Sequence, residues 1–528
     1  MGSDESLRLS LPLADSAESA RPRTRNQRYP EQPRRFDLFG LLGLRRFFRW
    51  KYARLVFQLP LLVLVIIMLI DGFTGRQLAP RNMATTATWL HWRGLVVLAL
   101  ALVGNAFCAA CPLMLTRGTS RFLRRVMPER LQFRWPRALH NKYTVTFLMV
   151  AFFFSYELFD LWASPWLTAW LIVGYFGSAL VIDTFFPAGT FCRYVCPLGN
   201  FNFVLSHTSP TQVVALDPNV CASCEHKPCL HGRETYFDEA DARGDAAFIP
   251  LSEITNPNGQ GFFPGCETGL FAPTIQSNMD CTNCFNCVRA CPYDNVGLGV
   301  RSPVREPTSD VWLRRGRFTV MLLAVSLAAW GLLNAAAMVA PFFGFIEQAA
   351  AFLNTESEAL LFTLLFTLTG LIGFTATTAV GVIADWAGGQ RTVQPLRSFM
   401  RWGYVVVVLG IGFWFAHYLF HFLTGALQII PVFQNFLQLQ GVQITPDWGL
   451  AQLVPTRYLF TITAAVTSLY SLLAIYVSMR IALRDYGRRG VLAMWPVLLF
   501  ILAFAVFAVW LLGQPMEMRG TLLQPLAD

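Results

Sequence analysis

Leu55-Val-Phe-Gln-Leu-Pro-Leu-Leu-Val-Leu-Val-Ile-Ile-Met-Leu-Ile-Asp71 carries no charge before its last residue. A helix crosses a bilayer with roughly 20 mostly apolar residues, and this stretch is the first of nine that qualify. The others fall at about 94–114, 144–161, 165–186, 318–343, 359–384, 402–424, 458–479 and 493–513. Composition points the same way: 54% of the residues are hydrophobic and 14% charged, with a mean hydropathy of +0.44. Soluble domains carry about 25% charged residues. Soluble, disordered, collagen-like and nucleic-acid-binding classes are therefore excluded, and the chain's natural partner is the lipid bilayer. The net charge of +10 belongs to Arg-rich loops rather than to an anionic ligand.

Lys and Arg near the ends of spans set orientation. Arg45, Arg46, Arg49, Lys51 and Arg54 precede span one. Arg117, Arg121, Arg124, Arg125, Arg130, Arg134, Arg137 and Lys142 follow span two. Arg301, Arg305, Arg314, Arg315 and Arg317 precede span five. The intervening loops are poor in positive charge, with Glu347, Glu356 and Glu358 in one and only Arg457 in another. The pattern predicts nine spans in the inner (cytoplasmic) membrane, N-terminus inside and C-terminus outside. Residues 1–50 read as an Arg-rich cytoplasmic tail ending in an interfacial stretch from Phe36 to Trp50, not as a signal peptide.

All 12 Cys lie between Cys108 and Cys291, largely in the segment placed in the cytoplasm. That compartment is reducing, so metal ligation outranks disulfides. Cys281-Thr-Asn-Cys284-Phe-Asn-Cys287-Val-Arg-Ala-Cys291-Pro292 is C-x2-C-x2-C-x3-C-P. In the bacterial ferredoxin run of this form, three thiolates hold one [4Fe–4S] cluster and the fourth serves its neighbour. Upstream, the strand-like Gln212-Val-Val-Ala-Leu-Asp217-Pro leads into Cys221-Ala-Ser-Cys224-Glu-His-Lys-Pro-Cys229. Its third Cys is delayed and its fourth is missing, and Cys266 is the substitute. Crossed ligation predicts cluster one on Cys221, Cys224, Cys229 and Cys291, and cluster two on Cys281, Cys284, Cys287 and Cys266. The competing reading is a zinc knuckle on Cys221, Cys224, Cys229 and His226 or His231.

The remaining four Cys form a repeat, Phe107-Cys108-Ala-Ala-Cys111-Pro112-Leu113 and Phe191-Cys192-Arg-Tyr-Val-Cys196-Pro197-Leu198. Each pair stands at the cytoplasmic end of a two-span hairpin. Proline after the last Cys breaks the helix and leaves backbone N–H groups to face a metal-bound sulfur. Cys108, Cys111, Cys192 and Cys196 are thus candidate ligands of one shared centre: a third iron–sulfur cluster first, then a redox dithiol or a copper or zinc site. The alternative is that these are small buried apolar side chains.

On these motifs, from about Leu55 to Arg301, the chain resembles the membrane polyferredoxin family. That family includes the quinol-dehydrogenase subunit of periplasmic nitrate reduction, the nitrous-oxide-reductase maturation protein and a cytochrome oxidase accessory protein. Cys192 to Pro197 has the family spacing, Cys108 to Pro112 is one residue short, and the Cys224–Cys229 gap and Cys266 depart from the pattern. The resemblance implies a four-helix core, a cytoplasmic two-cluster ferredoxin, and electron transfer between cytoplasmic or quinone donors and an acceptor across the membrane. No Rossmann fingerprint or P-loop is present, so electrons must come from a partner or from quinol.

Intramembrane ionisable residues default to a functional hypothesis. His417 and His421 share one face of span seven, and His91 and Glu157 also fall near the outer surface. Together they are candidates for a haem or quinone site; aromatic-belt histidines are the plain alternative.

The expected fold is an α-helical polytopic membrane protein with an inserted small α+β two-cluster ferredoxin-like domain on the cytoplasmic side. Its parts are the tail 1–50, a four-helix membrane core 51–190, the ferredoxin-like domain 191–300 and a five-helix membrane domain 316–528. The expected function is iron–sulfur electron transfer between a cytoplasmic donor (ferredoxin, flavodoxin or dehydrogenase subunit) and quinone or an outer-face redox protein. A metal-reducing maturation factor for a respiratory metalloenzyme is the second reading. A redox-sensing regulator is the third.

Overall fold

The computed structural model describes residues 36–41, 43–224, 226–232, 263–313 and 317–516. Most of the expected tail, the polar insertion 233–262, Arg314, Arg315 and the C-terminal segment lie outside the described residues. Six helical stretches are long and apolar enough to cross a membrane: Ala53–Thr74, Pro165–Phe185, Phe318–Ala336, Glu358–Ala387, Pro395–Gly425 and Thr456–Leu512. The chain is a helical protein of membrane type.

Ala53–Thr74 is α1. Next, α2 runs through Met83–Thr85, a π-helical Thr86–Trp92 and Arg93–Leu102. The 16-residue Tyr143–Leu158 is α3, and Pro165–Phe185 is α4. The start of α4 is fixed by Ser164, whose hydroxyl accepts from Leu167 N, and by Pro165 in the first turn, where a missing N–H costs nothing. Phe318–Ala336 is α5, Glu358–Ala387 is α6 and Pro395–Gly425 is α7. The last long stretch turns at Gly487–Arg489, which divides it into α8 (Thr456–Tyr486) and α9 (Gly490–Leu512).

The core is built around α7, buried at every position from Trp402 to Tyr418. Small residues let its neighbours approach, as expected where helices associate by packing rather than by escape from water. There is no room for a Cβ at Gly410 against Ala328 of α5, at Gly412 against Tyr470 of α8, or at Gly94 of α2 against Phe422. Exposed Leu, Ile and Trp crowd the outer faces of α1, α4, α6 and α9. At one end, buried Asp385 of α6 accepts from Ser398 Oγ at 2.6 Å, Trp402 Nε1 at 2.8 Å and Arg401 at 2.9 Å, and from Tyr486 of α8. One carboxylate thus clamps three helices.

The expected span 94–114 does not hold as one helix. α2 ends at Leu102, and Gly104 takes φ +83° with its Cα against Thr211 and Ser209, so Cys108 rides on a separate short helix, Ala106–Ala110. Likewise 318–343 divides into α5 and Ala340–Leu353. Apolar composition runs through both breaks and hides them.

The Cys-rich segment carries two strands, β1 (Thr211–Ala215) and β2 (Val296–Val300), antiparallel with Val213 opposite Leu298. Asp37 bridges to Gly299 and accepts from Leu298 N at 3.1 Å. Phe39 and Phe48 pack edge-on against Phe285, while Arg45 and Arg49 pair with Asp294. From the stretch between Phe36 and Trp50, read as interfacial, Phe39 and Phe48 thus pack into the core of the Cys-rich module, while Phe36 and Trp50 stay exposed. Conversely, Phe191–Val195 and Pro197–Leu205 pack with α3 and α2, on the membrane side of the 190/191 division.

Candidate functional site

The local backbone explains how thiols point inward. Asp280, Asn283 and Phe285 take positive φ (+69°, +49°, +56°), conformations uncommon outside glycine. They coil Cys281–Cys287 into a tight loop. The preceding Asp280 is fixed by buried Lys142, whose Nζ also donates to Arg193 O at 2.6 Å and Asn200 Oδ1 at 2.8 Å. Burial pushes the Asp280 carboxyl up, but the charges of Lys142 and Arg193 outweigh it and hold it below its usual range.

Cys221, Cys224, Cys229 and Cys291 line one pocket with Pro228, Phe271 and Tyr293. Asn295 serves two of these sulfurs, giving its side-chain N–H to Cys221 Sγ at 3.2 Å and its backbone N–H to Cys291 Sγ at 3.4 Å. The widened Cys224–Cys229 interval is taken up by Lys227 at φ +46°. Neither His226 nor His231 lines this pocket. Burial pushes the Cys221 and Cys229 thiols up to about 12. Ionising them at neutral pH requires a bound cation, so metal binding here would release protons.

A second set comprises Cys281, Cys284, Cys287 and Cys266. Cys266 is brought in by its N–H bond to Cys229 O at 3.0 Å, and its sulfur accepts from Leu270 N at 3.2 Å. Asn286, between Cys284 and Cys287, donates to Gly265 O at 3.4 Å and to the Glu267 carboxylate at 3.3 Å, on either side of Cys266. The displaced cysteine and the C-x2-C-x2-C loop therefore share one neighbourhood.

The repeat forms the third set. Cys108, Cys111, Cys192 and Cys196 line a single cavity of about 470 Å³. Cys196 ends Phe191–Val195, and Pro197 opens the next helix, whose Gly199 N–H donates to Cys196 Sγ at 3.2 Å. Asn202 Nδ2 donates to Cys108 Sγ and Arg117 Nη2 to Cys192 Sγ, both at 3.6 Å. The rest of the lining is chiefly apolar, contributed largely by α1, α2 and α4, but Thr88 Oγ1, Tyr175 Oη and Asn202 Oδ1 are buried with no hydrogen-bond partner among the described residues.

The three sets lie in sequence. The Cys266 N–H bond to Cys229 O at 3.0 Å joins the first set to the second. Asn105, next to the helix carrying Cys108, donates to Cys281 O at 3.0 Å. Among the described residues, no three His, Cys, Asp or Glu side chains close tightly enough to hold a single metal ion.

The intramembrane residues separate into two places. His417 is fully buried with neither ring nitrogen partnered, and it meets His421 edge-on at 4.8 Å. Both stand on α7, so they do not form the opposed pair that would hold a haem from its two faces. His91 lies apart from their ring pair, its nitrogens facing Thr86 O at 3.1 Å and Ala426 O at 2.9 Å. Glu157 pairs with Asn334. The residue that sequence reading passed over is Arg93. It is buried among Trp89, Tyr156 and Tyr418, its cation 4.9–5.2 Å from each ring. It lies within electrostatic reach of Glu157, His417 and His421. An arginine inside an apolar span was the available signal.

Comparison with protein families, with characterised proteins and with solved structures finds no match for this chain.

Proposed function

We propose that the chain is an integral-membrane iron–sulfur electron-transfer oxidoreductase of the membrane polyferredoxin type, relaying electrons between a cytoplasmic donor and quinone or an outer-face redox protein. One observation carries the reading: two of the expected ligand sets each line a common space, Cys221, Cys224, Cys229 and Cys291 around one pocket and Cys108, Cys111, Cys192 and Cys196 around another, with Cys266 and the Cys281–Cys287 loop linked to both. Cys221, Cys224, Cys229 and Cys291 would hold one [4Fe–4S] cluster, and Cys281, Cys284, Cys287 and Cys266 a second. A third centre would sit on Cys108, Cys111, Cys192 and Cys196. When bound, such clusters supply one-electron storage at potentials set by hydrogen bonds and charge around the sulfurs. The chain does that tuning: Asn295 donates to two sulfurs of the first set, and Arg117, Asn202 and Gly199 donate to three of the third.

The cavity beside the third set supports quinone as the membrane-side reactant. Ligand sites are mostly apolar, of about 300–1,000 Å³, with a few placed polar groups. This one has the size, four thiols and three unpartnered polar atoms. The topology proposed is nine spans: the six long helices with the last counted as α8 and α9, plus the near-continuous α2 and the shorter α3. The positive loops then place the module and the N-terminus in the cytoplasm.

A second reading has one specific support. Met114 Sδ lies 3.8 Å from Cys192 Sγ, and a thioether beside thiolates is a soft donor set suited to Cu(I). The chain would then reduce or deliver copper for a respiratory enzyme.

Anaerobic purification with metal and labile-sulfide analysis tests the proposal. About eight irons and eight sulfides are expected from two clusters, and about twelve of each with a third. Stoichiometric zinc without labile sulfide refutes it, and copper bound at the third set alone favours the second reading. EPR after quinol addition should show cluster reduction or oxidation.

A further inference from the structure

Between the second and third thiol sets lies a buried charge network that the electron-transfer reading does not by itself require. Glu267 follows Cys266, and its carboxylate takes Arg54 Nη1 at 2.6 Å, Asn286 Nδ2 at 3.3 Å and Arg117 Nη1. Asn286 stands between Cys284 and Cys287. Arg54 in turn donates Nε to Ala109 O at 3.4 Å, inside the Cys108–Cys111 turn. Arg117 donates Nε to Asp183 Oδ2 at 3.0 Å and Nη2 to Cys192 Sγ at 3.6 Å. The side chains of Glu267, Arg117 and Asp183 are 9%, 6% and 1% exposed. Gly189, at φ +89°, has no space for a Cβ because the Glu267 carbonyl packs on it.

Two guanidiniums therefore face two carboxylates, and Arg117 is shared between Glu267, Asp183 and a candidate ligand sulfur. The geometry points to Glu267 and Arg117 as positioning residues that join the module to the helix-end thiols and set the redox potential of the centre those thiols hold. This inference rests on the iron–sulfur reading of the third set. Reduction adds negative charge to a thiolate-held centre. The wild-type network leaves that charge only partly compensated, while loss of one carboxylate adds a unit of positive charge beside Cys192. In a buried, weakly screened site such a change is felt strongly.

The test is an EPR-monitored redox titration of the full-length protein in detergent, with the Cys196→Ser variant identifying the helix-end signal. Glu267→Gln should raise that centre's potential, with at least a tenfold shift of the one-electron equilibrium, ~59 mV. The centre on Cys221, Cys224, Cys229 and Cys291 should not move. Glu267→Asp keeps the charge and should restore the wild-type value, which a purely structural role would not predict. Should Glu267→Gln fail to accumulate, Asp183→Asn removes the same charge from the other side of Arg117 and should shift the potential in the same direction. An unchanged potential, or an equal shift at the first set's centre, overturns the inference while leaving the electron-transfer reading intact. Wild-type protein with only about eight irons removes the third centre, and this inference with it.

Discussion

Glu306 joins the module to the membrane helices, and replacing it with glutamine should loosen that joint by a predictable amount. Its carboxylate is 1% exposed and accepts from Arg301 Nη1 at 2.6 Å, Asn278 N at 3.1 Å and Ser277 Oγ, with His207 Nδ1 2.8 Å away. His207 stacks on Trp312 at 4.2 Å, and Trp312 N donates to Tyr404 Oη of α7 at 2.6 Å. Burial pushes the Glu306 carboxyl up, but the charges of Arg301 and His207 more than reverse it and hold it at about 2, below the ordinary 4.5. Holding the carboxyl at about 2 instead of 4.5 corresponds to ~3 kcal/mol, consistent with the ~3–5 kcal/mol lost on breaking a buried pair. The contribution is complete above the unfolded value near 4.5 and is lost as pH falls through about 2. Glu306→Gln should therefore weaken protection of the Asn278 amide by roughly 100-fold at neutral pH, measured by hydrogen exchange in detergent. A loss below about fivefold (~1 kcal/mol, the worth of an exposed surface pair) would refute the assignment of this pair as the anchor.

Cys266→Ala should perturb the EPR signal of the centre on Cys281, Cys284 and Cys287 and spare the one on Cys221, Cys224, Cys229 and Cys291; an unchanged spectrum makes Cys266 a bystander. Cys111→Ser and Cys196→Ser should each leave the module clusters reducible from the cytoplasmic side while electron delivery to quinone falls at least tenfold. Combined, they should do little more than either alone, because each destroys the same centre; wild-type rates in both would reduce the repeat to packing. For topology, a reporter inserted at Gly389, between α6 and α7, should read cytoplasmic, and one at Gly441, between α7 and α8, should read outside; the same side for both would overturn the proposed orientation.

What could be read from the chain alone was local. Apolar runs mark helices because burial in lipid is nearly independent of neighbours, and the spacing of Cys281 to Cys291 is legible because one loop supplies three of its sulfurs. The frame shared by Cys108–Pro112 and Cys192–Pro197 likewise placed four thiols in one neighbourhood before any contact was known. Long-range contacts decided the rest. Gly104 breaks the second span because Thr211 and Ser209, more than a hundred residues away, occupy the space of a Cβ. Phe39 and Phe48 cover the module rather than meet lipid because Phe285 offers them a core. His91 is withdrawn from the intramembrane cluster by the carbonyl of Ala426, whereas Arg93 enters it through rings from three helices. Glu267 looks like an ordinary polar residue of a loop until folding sets it between Arg54 and Arg117. Periodicity and spacing encode which atoms a segment can present; which partner neutralises a buried charge or fills a gap depends on residues that only the folded chain brings together.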